Sequence, residues 1–190
     1  VRYRVDQLGA LAKPGGRSPV LDALFARKEP KTGPSGTMSW TAHVHNPRAG
    51  DDFVLILKEL QLPSGQRRPY SVWMAGEYPR ALDGLCKLLS LDMRVIDPAW
   101  IGMKLRKLTN YAEPLGDFMT RVPGESRQQN FPSTLAYCAQ LIIHRYAMLG
   151  VLDARGHPVS EMGVLEIPDD DRAPVRDGAA YRPLPGKRCG

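Results

Sequence analysis

A chain of 190 residues with 43% hydrophobic and 24% charged side chains has the composition of one folded globular domain, which excludes whole-chain disorder and a large multidomain catalyst. Its 18 Gly and 17 Pro require many turns and irregular ends. The net charge of +6 is uneven: residues 1–50 hold eight basic and three acidic side chains and residues 101–150 hold six and three, so any pull on phosphate, nucleic acid or an acidic protein face comes from these two stretches.

Residues 1–37 read as a basic arm rich in Pro and Gly, in which Val20–Phe25 is apolar enough for a short helical turn. From Ser39 the period becomes two. Trp40, Ala42 and Val44 alternate with Thr41, His43 and His45, which predicts a strand with one wet face. Asn46 to Asp52 supplies turn residues, so a hairpin follows. Phe53–Leu57 is a continuous apolar run and predicts a strand covered on both faces, ended by Leu62-Pro63-Ser64-Gly65. Tyr70–Met74 predicts a third strand, and the short connections make the three an antiparallel meander.

Helices must cover that sheet. Leu82, Leu85, Cys86, Leu89 and Met93 recur at three- and four-residue spacing behind Pro79, which predicts the first helix. Asp97 as N-cap and Pro98 at the first position open a second, with Trp100, Ile101, Leu105 and Leu108 on one side and Lys104 and Lys107 on the other. A third runs from near Pro132 to Leu149, with Leu135, Cys138, Ala139, Ile142, Tyr146 and Leu149 as its buried stripe and Gly150 beyond its end. Past Gly150 a hairpin is suggested around Asp153–Gly156, then an irregular tail to residue 190 that ends in a cysteine. The expected fold is α+β: a three-stranded or larger antiparallel sheet packed by two or three helices over residues 38–152, with flexible N- and C-terminal arms.

The chemistry-bearing residues are sparse. His43 and His45 project from the same strand face, yet two ligands do not make a metal site and no third lies nearby in sequence, so no metal is expected. Cys86 and Cys138 fall inside apolar helical patterns and lack a neighbouring base, as buried, inert thiols of a reduced cytoplasmic protein do. Cys189 differs, because it follows Lys187 and Arg188 in a Pro- and Gly-rich tail, where positive charge favours the thiolate. Lys13 to Arg17 has glycines without the strand and helix that a phosphate loop needs, and reads as a basic linker. Arg121 and Arg127 lie in a polar loop before the longest helix, where an anion is favoured; the plain alternative is that they bond backbone carbonyls or Glu125. With Lys104 and Lys107 they form the set of candidate partner- or anion-binding residues. No apolar run is long enough to span a membrane, and no signal peptide is read at the start.

Two longer segments narrow the reading. Gly76-Glu-Tyr-Pro-Arg80-Ala-Leu-Asp-Gly84-Leu-Cys-Lys-Leu-Leu-Ser90-Leu-Asp-Met-Arg94 and Asp97-Pro-Ala-Trp-Ile-Gly102-Met-Lys-Leu-Arg-Lys107 resemble the small, separately encoded C-terminal component of adenosylcobalamin-dependent (class II) ribonucleotide reductase. Val122-Pro-Gly-Glu125, Gln128-Gln-Asn-Phe-Pro-Ser-Thr134 and Ala136-Tyr137 fit the same family, so the resemblance spans about residues 35–152. The Thr-Ser-Cys-Pro-Asp pattern that names the corresponding domain in fused reductases is absent from this chain.

The resemblance implies an accessory component, non-catalytic alone, that joins a large radical-bearing subunit in converting ribonucleotides to 2′-deoxyribonucleotides. That subunit is the implied partner and carries the adenosylcobalamin; this chain binds no cofactor and supplies no catalytic residue. Lys187-Arg-Cys189-Gly190 looks like the start of the family's redox tail, which makes Cys189 the redox candidate and a thioredoxin-type reductant a further implied partner. The alternative from a different class is a basic nucleic-acid module stacking bases on Trp40 and Trp73, although nucleic acid is not the partner expected here.

Overall fold

The computed structural model describes residues 34, 36–61 and 65–163. The arm segment Val20–Phe25, the Lys13–Arg17 linker, Leu62–Ser64 and Cys189 lie outside the described residues. Strands β1 (Met38–Asn46), β2 (Asp51–Gln61) and β3 (Arg67–Glu77) form an antiparallel sheet in the order β1-β2-β3, the expected meander. The β1–β2 turn is closed by Gly50, whose amide donates to Asn46 O at 3.0 Å from a backbone with φ +77°, a conformation glycine adopts without strain. The Asn46 side chain accepts from the amides of Arg48 and Ala49, as turn asparagines do.

Register places Trp40 opposite Leu57, Ala42 opposite Leu55 and Val44 opposite Phe53, with Val72 and Met74 completing the row on β3. Leu55, Leu57 and Val44 are fully buried in this row. The apolar run of β2 is therefore covered on one face, where two were expected. Val54 and Ile56 are half-buried on the outer side and their neighbour Trp73 is 51% exposed, because the helices bury only the Leu55 side. β3 is also longer than Tyr70–Met74. It passes through Pro69 by a register shift opposite Lys58 and Glu59, the kind of irregularity that lets a strand tolerate proline.

Helix α1 (Ala81–Val95) lies along β3 and buries Leu82, Cys86, Leu89 and Met93. Its entry is fixed by Tyr78, whose hydroxyl donates to Asp83 at 2.9 Å. Helix α2 (Pro98–Leu108) opens on Asp97, which accepts from Ala99 N at 2.8 Å, as the sequence predicts. Helix α3 (Thr134–Met148) starts two residues after Pro132 because Ser133 is its N-cap, accepting from Ala136 N at 3.0 Å. Gly150, at φ +73°, ends it with a bond to Ala147 O.

The polar stretch before α3 is a second sheet and not a loop. β4 (Phe118–Arg121) pairs with β5 (Gln128–Phe131), and the turn between them is tied by Val122 N to Arg127 O at 2.9 Å. Phe118 and Phe131 then meet Tyr137 of α3 at ring separations of 5.6 and 4.9 Å, which anchors the hairpin on the helix. Beyond α3 the chain stays on the domain through Gly163. Val151 and Leu152 are buried, Leu152 bridges to Pro158, and the turn at Asp153–Gly156 lies on α2 so closely that a Cβ on Gly102 would overlap Gly156 O.

Candidate functional site

The four basic positions singled out in the sequence fall in two places. Lys104 points from α2 to Asp92 of α1 and pairs with it at 2.7 Å. Lys107 is exposed one turn on and lines a shallow surface groove with Met103, Arg106 and Asn110; the Arg106 guanidinium there already donates to Gly156 O. Arg127 is held by its neighbours, bonding Glu125 at 3.0 Å and Gln129 at 3.2 Å, the plain alternative for a loop arginine. Arg121 ends β4 on the same side as exposed Met119, two residues back.

The N-terminus of α3 is already supplied with a carboxylate. Thr134 in its first turn donates to Asp51, and Asn46 donates to both Thr134 Oγ1 and Gly116 O at 2.9 Å. Asp51, Asn46 and Thr134 are all buried, so the negative end that a helix N-terminus favours comes from the chain's own β2. β5 stands between this point and Arg121 and Arg127 in sequence, and Arg121 meets α3 one turn in, where its carbonyl accepts from the Tyr137 hydroxyl at 3.3 Å.

Two thiols are buried as predicted. Burial pushes Cys86 up to about 11 and raises Cys138 further, and each feels a nearby carboxylate, Asp83 for Cys86 and Asp51 for Cys138. Neither is a nucleophile at neutral pH. His43 and His45 share Asp52, with His43 Nε2 at 2.7 Å from one oxygen and His45 Nδ1 at 3.9 Å from the other. Among the described residues no group of three or more His, Cys, Asp and Glu is placed to hold a metal. Trp40 and Trp73 sit on opposite faces of the sheet, since Trp40 opposes Leu57 and Trp73 opposes Ile56. They make no common stacking platform, and Lys58 already covers the Trp73 ring at 5.7 Å.

The most elaborate polar arrangement was not foreseen. Arg68, 1% exposed, donates to Met93 O at 3.2 Å, Met162 O at 3.3 Å and Gly163 O at 2.7 Å. Asp97 accepts from the amides of the same two residues, Met162 and Gly163. The pair thus clasps one short stretch of backbone by its carbonyls and its N–H groups. Burial lowers the Arg68 pKa and raises that of Tyr146, which lies beside it with its hydroxyl buried and without a hydrogen-bond partner among the described residues. The local signal in sequence was Asp97 as a cap; nothing near Arg68 announces partners 94 and 95 residues away.

No family model, curated protein or solved structure matches this chain. Among the described residues, no helix is long and apolar enough to cross a membrane.

Proposed function

We propose that this chain is the small component of a class II ribonucleotide reductase, without catalysis of its own, that docks on the large cobalamin-bearing subunit and completes it. The observation that carries the reading is where the family-like residues lie. They include Tyr78 and Asp83 at the start of α1, the Asp97 cap of α2, the turn at Val122–Glu125, and the Ser133 cap of α3. The resemblance therefore coincides with the joints that close one folded unit and is not a scatter of helix-forming residues.

The buried thiols favour the same division of labour. A radical or dithiol relay needs accessible sulfur, and Cys86 and Cys138 are shielded and held protonated. In this reading the adenosylcobalamin and the reducing cysteines belong to the large subunit, and Cys189 is the only thiol of this chain left for exchange with a thioredoxin-type donor. The docking face we assign is the β4–β5 hairpin, where exposed Met119 accompanies Arg121 on one side of β4.

Reconstitution tests this. The purified large subunit with adenosylcobalamin, a dithiol donor and ribonucleoside di- or triphosphates is assayed with and without this chain. Deoxynucleotide formation that requires both polypeptides is expected. A large subunit equally active alone, or one that forms no complex with this chain, overturns the proposal.

A further inference from the structure

The two edges of the main sheet are treated differently. On the β3 side, α1 guards the edge: Ser90 Oγ accepts from Val72 N at 2.9 Å and lies 3.3 Å from Val72 O. On the β1 side, among the described residues, no backbone hydrogen bond reaches Met38–His45 from outside the sheet. Soluble proteins block such edges with lysine, proline, a bulge or a covering element. β1 has none of the first three. Its sequence, Met-Ser-Trp-Thr-Ala-His-Val-His-Asn, holds no Lys, Arg, Asp, Glu, Pro or Gly, and its register against β2 is unbroken from Met38↔Glu59 to Asn46↔Asp51.

The core is also open along this edge. Leu57 and Leu55 are fully buried, whereas Trp40 and Ala42 directly opposite them on β1 are only partly buried. Whatever pairs here must be extended, present apolar side chains to Trp40 and Ala42, and bring no clashing charge. β1 itself meets all three requirements.

We propose that β1 pairs antiparallel with β1 of a second copy, centred on Ala42, to give a six-stranded sheet across a two-fold axis. In this register Trp40 faces Val44 of the second copy on the core side, an aromatic and β-branched pair of the kind that stabilises sheets. On the outer side Thr41 faces His43 of the second copy. The inference stands apart from the proposed reductase role, since it needs no other polypeptide.

The test is sedimentation of the full 190-residue chain over a wide concentration range, where a species of twice 21.1 kDa is expected. Thr41 and His43 are exposed, so the double variant T41K/H43K leaves the monomer folded while setting lysine against lysine at two places in the pair. Its dimer dissociation constant rises roughly tenfold or more. The variant T41E/H43K sets glutamate against lysine at the same two places and restores association. Circular dichroism confirms that each variant keeps its fold. A wild-type chain that is monomeric throughout, a dimer indifferent to T41K/H43K, or a charge swap that fails to restore it overturns the proposal. So does a monomer that dimerises only after deletion of residues 1–33, which would give the edge to the chain's own N-terminal segment.

Discussion

Arg145 and Glu59 form the most buried ion pair described, a two-pronged contact of 2.6 and 2.7 Å between side chains 9% and 1% exposed. Removing one partner strands a charge in the core, so Arg145→Ala should lower the unfolding free energy in urea by about 3–5 kcal/mol. Replacing both with leucine should cost clearly less, because no uncompensated charge is left. Cys86 yields a pH prediction. Its folded pKa of about 11 lies above the ordinary 9.0, so the neutral thiol is favoured in the folded state. The corresponding stability is complete below about pH 9 and is lost as pH rises toward 11. Cys86→Ala should therefore flatten the fall of stability with pH over that window, as measured by denaturant titration. Thiol counting at neutral pH should find two more reactive cysteines in denaturant than in the native protein.

The secondary elements differ in how plainly they are written. β1 is legible because its polar and apolar residues alternate. The alternation of β2 is hidden, because its outward residues Val54 and Ile56 are apolar too. β5 escapes detection since Gln128, Gln129 and Asn130 have little strand preference and only Phe131 is buried, so the hairpin depends on its aromatic contacts with Tyr137. Caps are local and readable, as Asp97 shows, whereas the second use of that carboxylate on Met162 and Gly163 is long-range and leaves no local pattern. Leu89 of α1 and Ile142 of α3 are 4% and 2% exposed, and alanine at either should cost roughly 2–5 kcal/mol. Gly102 is a sharper probe of the α2 contact with the Asp153–Gly156 turn. An added methyl meets backbone oxygen, so Gly102→Ala should destabilise by about 1–3 kcal/mol despite improving helix propensity, readable in the thermal midpoint.

For the whole molecule, the surface cations are not equivalent. Lys104 and Arg127 are engaged within the chain, while Lys107 and Arg121 have no ion-pair partner among the described residues. Under the proposed role, charge reversal at Arg121 should slow association with a large reductase subunit and flatten or invert its salt dependence, whereas reversal at Lys104 should act mainly on the α1–α2 contact with Asp92. Surface plasmon resonance at two salt concentrations separates the two; equal effects on the association rate would remove the β4–β5 end as the docking face.

The clasp that Arg68 and Asp97 place on Met162 and Gly163 also bears on how the protein is made. Asn46 waits for Thr134, Glu59 for Arg145 and Arg68 for Gly163, separations of 88, 86 and 95 residues. Polar groups so far apart cannot satisfy one another while the chain is still emerging. At a synthesis rate of 5–20 residues per second, the interval between Arg68 and Gly163 lasts roughly 5–20 s. For most of that time Glu59 lacks Arg145, and the apolar face of the meander lacks the helix that carries it. Final closure is therefore a late, cooperative event of high contact order, and a nascent chain arrested before Gly163 should remain a substrate for chaperones and proteases when its strands are already complete.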